Sequence, residues 1–354
     1  VEKINQKELF MQNRVISKKD LAGFVDDLIK TKAAGEVIGI QAKDSKFNFG
    51  PLKNAAELRL DYDIALLPPK KYFFPQIETV LKYEFGATPK VEPVVNDKAM
   101  CLIGVHPFDI RGLLLFDAVY GGANPDANLM MKRQKSVIIG VDCLTPNPKA
   151  FAASMGTAVT DEGFDLMLTD IGNDYFVTVG TNKGDSLIKK AKTKEATAAD
   201  QEKRDKVRKD ALKKYQVTLK MKPDEIPALL DANWESKVFN DKAATCFSCG
   251  SCVMVCPTCV CFDVQDDPAL NLKGGERYRR WDACMLSEFA KVASGENFRE
   301  HKEQRFRHRM YRKGKYLLER YKYLGCVGCG RCAIACLAQI ASPAETFNLI
   351  KEAK

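Results

Sequence analysis

Thirteen cysteines stand in 354 residues, and eight of them fall into two runs of one spacing. The first run is Cys246, Cys249, Cys252 and Cys256; the second is Cys326, Cys329, Cys332 and Cys336. Each reads C-x2-C-x2-C-x3-C, a [4Fe–4S] spacing in which the fourth cysteine serves the other cluster of a pair. Three thiolates in a tight loop hold three irons of one cubane, while the fourth lies a helical turn further on and points elsewhere. The expected ligand sets are Cys246, Cys249, Cys252 and Cys336 for cluster 1, and Cys326, Cys329, Cys332 and Cys256 for cluster 2. Gly250, Gly328 and Gly330 suit loops whose amides must approach sulfide closely. Pro257 stops a helix from closing over the first cluster. Zinc is the competing reading, because structural zinc sites pair C-x2-4-C knuckles with two ligands each. Neither run is such a lone pair, since each adds a third and fourth cysteine in register.

The elements that must position these loops differ along the chain. Leu21, Phe24, Val25, Leu28 and Ile29 recur at helical spacing over Ser17–Lys30. Glu36–Ala42 and Lys46–Gly50 read as strands joined by a polar turn. A helix is expected from Pro75 to Tyr83. MCLIGVHPFDIRGLLLFDAVYG reads as a buried strand, a turn at His106–Pro107 and a helix from Asp109 to Val119. His106 is a turn residue there and not a ligand. A second apolar strand falls in Arg133–Cys143, and Asp165–Gly180 reads as a hairpin turning at Gly172–Asn173–Asp174. A Lys-rich helix over Ala198–Lys214 serves as an exposed connector. The fold class expected is α+β: an N-terminal mixed α/β domain (1–222), then an all-α two-cluster ferredoxin domain (223–354). The 69 residues Pro257–Gly325 between the runs are read as mostly helical. Phe306, Tyr311 and Leu317 there are read as packing and not as electron relays. No G-x-G-x-x-G follows a strand, so no Rossmann turn for NAD or FAD is read.

Composition narrows the class. A hydrophobic share of 45% and a charged share of 29% are ordinary for a soluble globular chain. No apolar run reaches the roughly 18–20 residues of a spanning helix, so no membrane insertion is expected. VEKINQKELF shows no signal peptide. Cysteines used in this way suit a cytoplasmic, reducing setting better than a disulfide framework. The net charge of +9 has two sources: fourteen Lys/Arg against six acids over Lys183–Lys222, and ten against four over Glu296–Lys322. A solvated helix face is the ordinary reading of such runs. The second also suits a neighbouring cluster of about two negative charges, and docking of an acidic partner fits as well. No nucleic-acid module accompanies the charge, so no nucleic-acid partner is expected.

CFSCGSCVMVCPTCVC, then GERYRRWDAC, then LGCVGCGRCAIAC resembles the iron–sulfur β subunit of cytoplasmic sulfhydrogenases. It also resembles the A subunit of anaerobic sulfite reductase and iron–sulfur subunits serving flavin–heterodisulfide reductase complexes. PPKKYFFPQIE, LIGVHPFDIRGL, SMGTAVTDEGFDLMLTDIG and LLDANWESKVFNDKAATC extend the resemblance over most of the chain. It implies an electron-transfer subunit of an anaerobic oxidoreductase complex. The partners implied are a flavin- and NAD(P)H-binding subunit and a terminal enzyme of hydrogenase, sulfite reductase or heterodisulfide reductase type. There are departures. Phe108 stands where relatives carry a cysteine, Cys143 stands alone where they carry several, and Leu337 replaces the usual proline after the second run. A cluster that relatives hold in this N-terminal domain is therefore not expected here.

Cys259, Cys261 and Cys284 match the family pattern outside the two runs. They either hold a third cluster, with Cys143 or Asp282 as fourth ligand, or are buried reduced thiols. The alternative function, a catalytic iron–sulfur reductase, would place its unusual cluster at these three cysteines. Whether the chain is itself an enzyme stays open at this point. Arg331, Arg277, Arg279 and Arg280 are candidate tuners of cluster potential, and the N-terminal domain is read as a docking platform.

Overall fold

The computed structural model describes residues 12–353, so the stretch read for a signal peptide lies outside the described residues. The strands are β1 (Arg14–Ser17), β2 (Glu36–Lys43), β3 (Lys46–Pro51), β4 (Ile77–Glu84), β5 (Lys90–Pro93) and β6 (Met100–Val105). They continue as β7 (Val137–Val141), β8 (Leu166–Asp170), β9 (Asp174–Val179), β10 (Lys194–Glu195), β11 (Phe262–Pro268) and β12 (Gly274–Trp281). Eight form one sheet in the order β10-β1-β9-β8-β7-β6-β2-β3, and four form another, β11-β12-β4-β5.

In the large sheet β2, β6, β7 and β8 are parallel neighbours. β6 and β7 are buried from end to end, and MCLIGV and VIIGV are the unbroken apolar runs that a strand covered on both faces needs. The helix Lys18–Thr31 starts where Ser17 accepts a hydrogen bond from the Asp20 amide (3.0 Å) and buries Leu21, Phe24, Val25 and Leu28. His106 precedes the helix Pro107–Tyr120. Its ring stacks on Tyr62 at 4.0 Å and lies 3.0 Å from the Val141 carbonyl, so it is a satisfied core residue. The helix Ala198–Leu212 is capped by Thr197 and Asp200 and buries only Ala211, although Arg208 reaches Asp142 at 2.7 Å.

Two expectations are corrected. The segment expected as a helix from Pro75 to Tyr83 is strand β4, paired antiparallel with β12. Pro75 resembles a helix start, but IETVLKYE is rich in β-branched and aromatic residues, and its partner strand lies almost 200 residues further on. Local pattern could not reveal that partner. The same pairing overturns the all-α ferredoxin domain, because β11 and β12 form a hairpin between the cysteine runs and join β4 and β5. The helical expectation for the rest of that connection is met only by Lys302–Tyr321, which contains a π-helical stretch at Arg312–Tyr316. Phe306, Tyr311 and Leu317 are buried on it.

The joint between the two sheets is a buried charge network. Lys132 meets Glu78 at 2.5 Å, Glu78 accepts from Arg279 at 2.5 Å, and Arg279 also pairs with Asp126. These side chains come from β4, β12 and the helix Ala127–Lys135 with its cap. Each desolvated charge is paired, as burial requires.

Candidate metal centres

The first cysteine loop follows the helix Lys237–Ala244 and leads into the short helix Ser251–Met254. Ser248 (φ 53°) and Gly250 (φ 74°) turn the backbone there. The second loop turns at Gly328 (φ 66°) and Gly330 (φ 82°) and leads into the helix Arg331–Ala335. The two short helices pack against each other. This juxtaposition groups thiols across the runs. One cavity is lined by Cys246, Cys249, Cys252 and Cys336. Another is lined by Cys256, Cys326, Cys329 and Cys332.

Among the described residues no three Cys, His, Asp or Glu side chains converge as a single metal ion would require. The thiols instead stand around a space, which suits a polynuclear sulfide cluster better than one zinc ion. Burial pushes the Cys252 and Cys326 thiols up to about 12 and raises Cys329 and Cys332 as well. A buried thiol of this kind keeps its proton until a metal binds the sulfur and the proton is released. Cys256 is the exception. Its hydrogen bond with Cys259 holds it well below the usual thiol range, helped by the Lys313 ammonium at 3.1 Å.

The walls are cationic. Lys313 donates to Cys256 Sγ (3.1 Å), Thr258 Oγ1 (2.8 Å) and Cys259 Sγ (3.3 Å). Arg309, one turn earlier, is buried, and none of its three guanidinium nitrogens has a hydrogen-bond partner. A full positive charge left unpaired in a dry wall costs several kcal/mol. Anionic clusters in these cavities remove that cost, so the residues present fit the group. The cation-rich run had suggested charge near a cluster, but not these two residues. Their signal was the spacing Arg305, Arg309, Lys313, four apart on one helix among Phe306, Met310 and Leu317.

The four arginines named as tuners have other occupations. Arg331 is locked to Asp109 by two contacts of 2.6 Å and to the Ala65 carbonyl at 2.7 Å. Arg279 belongs to the sheet joint, Arg277 pairs with Asp266 on the surface at 2.8 Å, and Arg280 is exposed.

The second loop is also braced from the N-terminal half. Phe151 N donates to Gly328 O (2.7 Å), Asn147 Nδ2 to Cys329 O (2.9 Å) and Thr157 Oγ1 to Val327 O (2.6 Å). Thr258, two residues past Cys256, donates to Gly325 O at 2.6 Å and ties the two loops together.

The three remaining cysteines are divided. Cys259 faces Lys313, and its carbonyl accepts from the buried Lys70 at 2.8 Å. Burial, and next the neighbouring Cys261, push the Cys284 thiol up. Cys143 packs elsewhere, with Phe108, Ala150 and Tyr215 beside Cys329. Asp282 is engaged as acceptor of the Ala283 amide at 2.6 Å. Cys143 thus packs apart from those three thiols.

Residues 245–340 match the 4Fe-4S dicluster domain family. The chain is also 33% identical to the beta subunit of sulfhydrogenase 2 from Pyrococcus furiosus over 320 residues, 88% of this chain and 91% of that protein. Likeness of this extent covers most of the chain, and the chain belongs to the family of sulfhydrogenase beta subunits with a 4Fe-4S dicluster domain.

Proposed function

We propose that this chain is the electron-transfer subunit of an oxidoreductase complex and relays electrons through two [4Fe–4S] clusters. Cys246, Cys249, Cys252 and Cys336 would hold the first, and Cys326, Cys329, Cys332 and Cys256 the second. The observation carrying this reading is the regrouping of the eight thiols into two cavities, each taking three from one run and one from the other. When bound, such clusters accept and release single electrons at potentials set by burial, charge and hydrogen bonds to sulfur. The protein's own part is to hold the thiols, exclude water and supply the cations of the wall. A flavin- and NAD(P)H-binding subunit and a terminal enzyme are the partners that fit, the relative being named as one subunit of a sulfhydrogenase. The bracing of the second loop adds an internal task for residues 1–222 beside the docking role proposed for them. No helix among the described residues is long and apolar enough to cross a membrane.

The alternative, a catalytic reductase with a third cluster at Cys259, Cys261 and Cys284, has less support, because Cys143, one of its two candidate fourth ligands, packs elsewhere. Anaerobically prepared protein should contain about eight irons and about eight acid-labile sulfides per chain. About twelve irons would favour the third cluster, and zinc without sulfide would remove the proposal. Isolation of the native complex would identify the partners.

A further inference from the structure

Among the buried cations, Arg309 is the one least explained by the protein alone. Arg309 is 1% exposed, and its Nε, Nη1 and Nη2 are all buried without a partner. Among the described residues it is the one arginine left so on all three nitrogens. Every other deeply buried cation has a protein acceptor: Lys132 and Arg279 have Glu78, Arg331 has Asp109, Lys70 has the Cys259 carbonyl and Lys313 has Cys256. Arg309 lines the second cavity with Cys332, whose short helix Arg331–Ala335 packs against the helix Ser251–Met254 that carries Cys252 of the first set. The side chain therefore stands in the wall where the two thiol sets meet. The helix carrying it passes into the π-helical stretch Arg312–Tyr316, which sets Lys313 against Cys256 on the second set alone. Single π-turns of this kind recur at functional sites because they re-aim side chains.

We propose that Arg309 is the shared counter-charge of the two clusters and sets both reduction potentials together, whereas Lys313 acts on the second. This rests on the two-cluster reading given above. A fixed cation stabilises the reduced, more negative state of any cluster it faces, so its removal makes reduction harder. Arg309 is a positioning and tuning residue and takes part in no bond-making.

The test is an anaerobic redox titration of the full chain, followed by electron paramagnetic resonance and iron content. If wild-type protein holds no iron and no sulfide, the two-cluster reading fails and this inference goes with it. If wild-type protein shows two one-electron transitions, the variants decide the inference by itself. Arg309→Met should lower both potentials by about tenfold in the reduction equilibrium, roughly 59 mV for one electron. Lys313→Met should lower one. Arg309→Lys, which keeps the charge, should move both potentials in the same direction by less. A shift of neither potential, or of only one, in the Arg309 variants overturns the proposal. Should Arg309→Met lose metal while its far-UV circular dichroism stays native, loss of about eight irons supports the shared role. Loss of about four overturns it.

Discussion

The two cysteine loops share a spacing and differ in nearly everything around it. In the first run Cys249 is exposed and only Cys256 is buried; in the second, Cys326 and Cys329 are buried and no thiol is exposed. A Cβ on Gly250 would meet the Leu286 side chain at 3.1 Å, whereas one on Gly328 would meet the Ala152 backbone nitrogen at 2.7 Å. Phe247 and Leu337 lie open to solvent beside the first cavity, at 70% and 85% exposure. The second cavity has Phe151, Arg309 and Lys313 in its wall. One sequence motif can therefore be built as a surface-facing port or as an interior station. The difference comes from what the rest of the chain lays against it.

That contrast can be broken by experiment, most sharply at the glycines. Gly328→Ala forces a Cβ into backbone that cannot yield, at positive φ, and should cost the second cluster, seen as loss of about four irons per chain. Gly250→Ala has the same backbone strain, on the order of 1–2 kcal/mol, but only a flexible leucine to displace, and should keep both clusters. Equal iron loss in the two variants would erase the distinction between the loops. Asp109→Asn leaves the buried Arg331 guanidinium without its counter-charge and should destabilise the fold by about 3–5 kcal/mol, read by anaerobic denaturant unfolding. Thr157→Val removes the donor to Val327 O from the brace and should cost about 1–3 kcal/mol in the same measurement. Leu337→Ser, at the open rim of the first cavity, should change stability by no more than about 0.5 kcal/mol. A large loss there would mean that the first loop, too, is an interior element.

Much of the local structure could be read directly. Ser17 and the apolar spacing behind it mark the helix Lys18–Thr31, and the runs MCLIGV and VIIGV mark the buried strands. Reading failed where a segment's partner lies far away in the chain. IETVLKYE becomes a strand because β12 is there to pair with it, and the hairpin β11–β12 finds its sheet in residues 77–93. Arg309 was missed for a related reason: a basic residue in a basic run reads as solvated until the fold closes over it. Arg331 could be placed beside the second loop, but its buried pairing with Asp109, 222 residues away, could not.

Covalent spacing by itself determined which eight sulfurs could act together, where the backbone had to turn at glycine and which strands had to be buried. These are short-range properties, settled by chain geometry and by the cost of hydrating apolar side chains. Tertiary structure alone decided which loop is braced and which faces water, which cations are paired within the protein, and that a hairpin between the cysteine runs completes a sheet begun in the other half of the chain. Such outcomes depend on satisfying every buried hydrogen bond and charge at once, over separations that no local window spans.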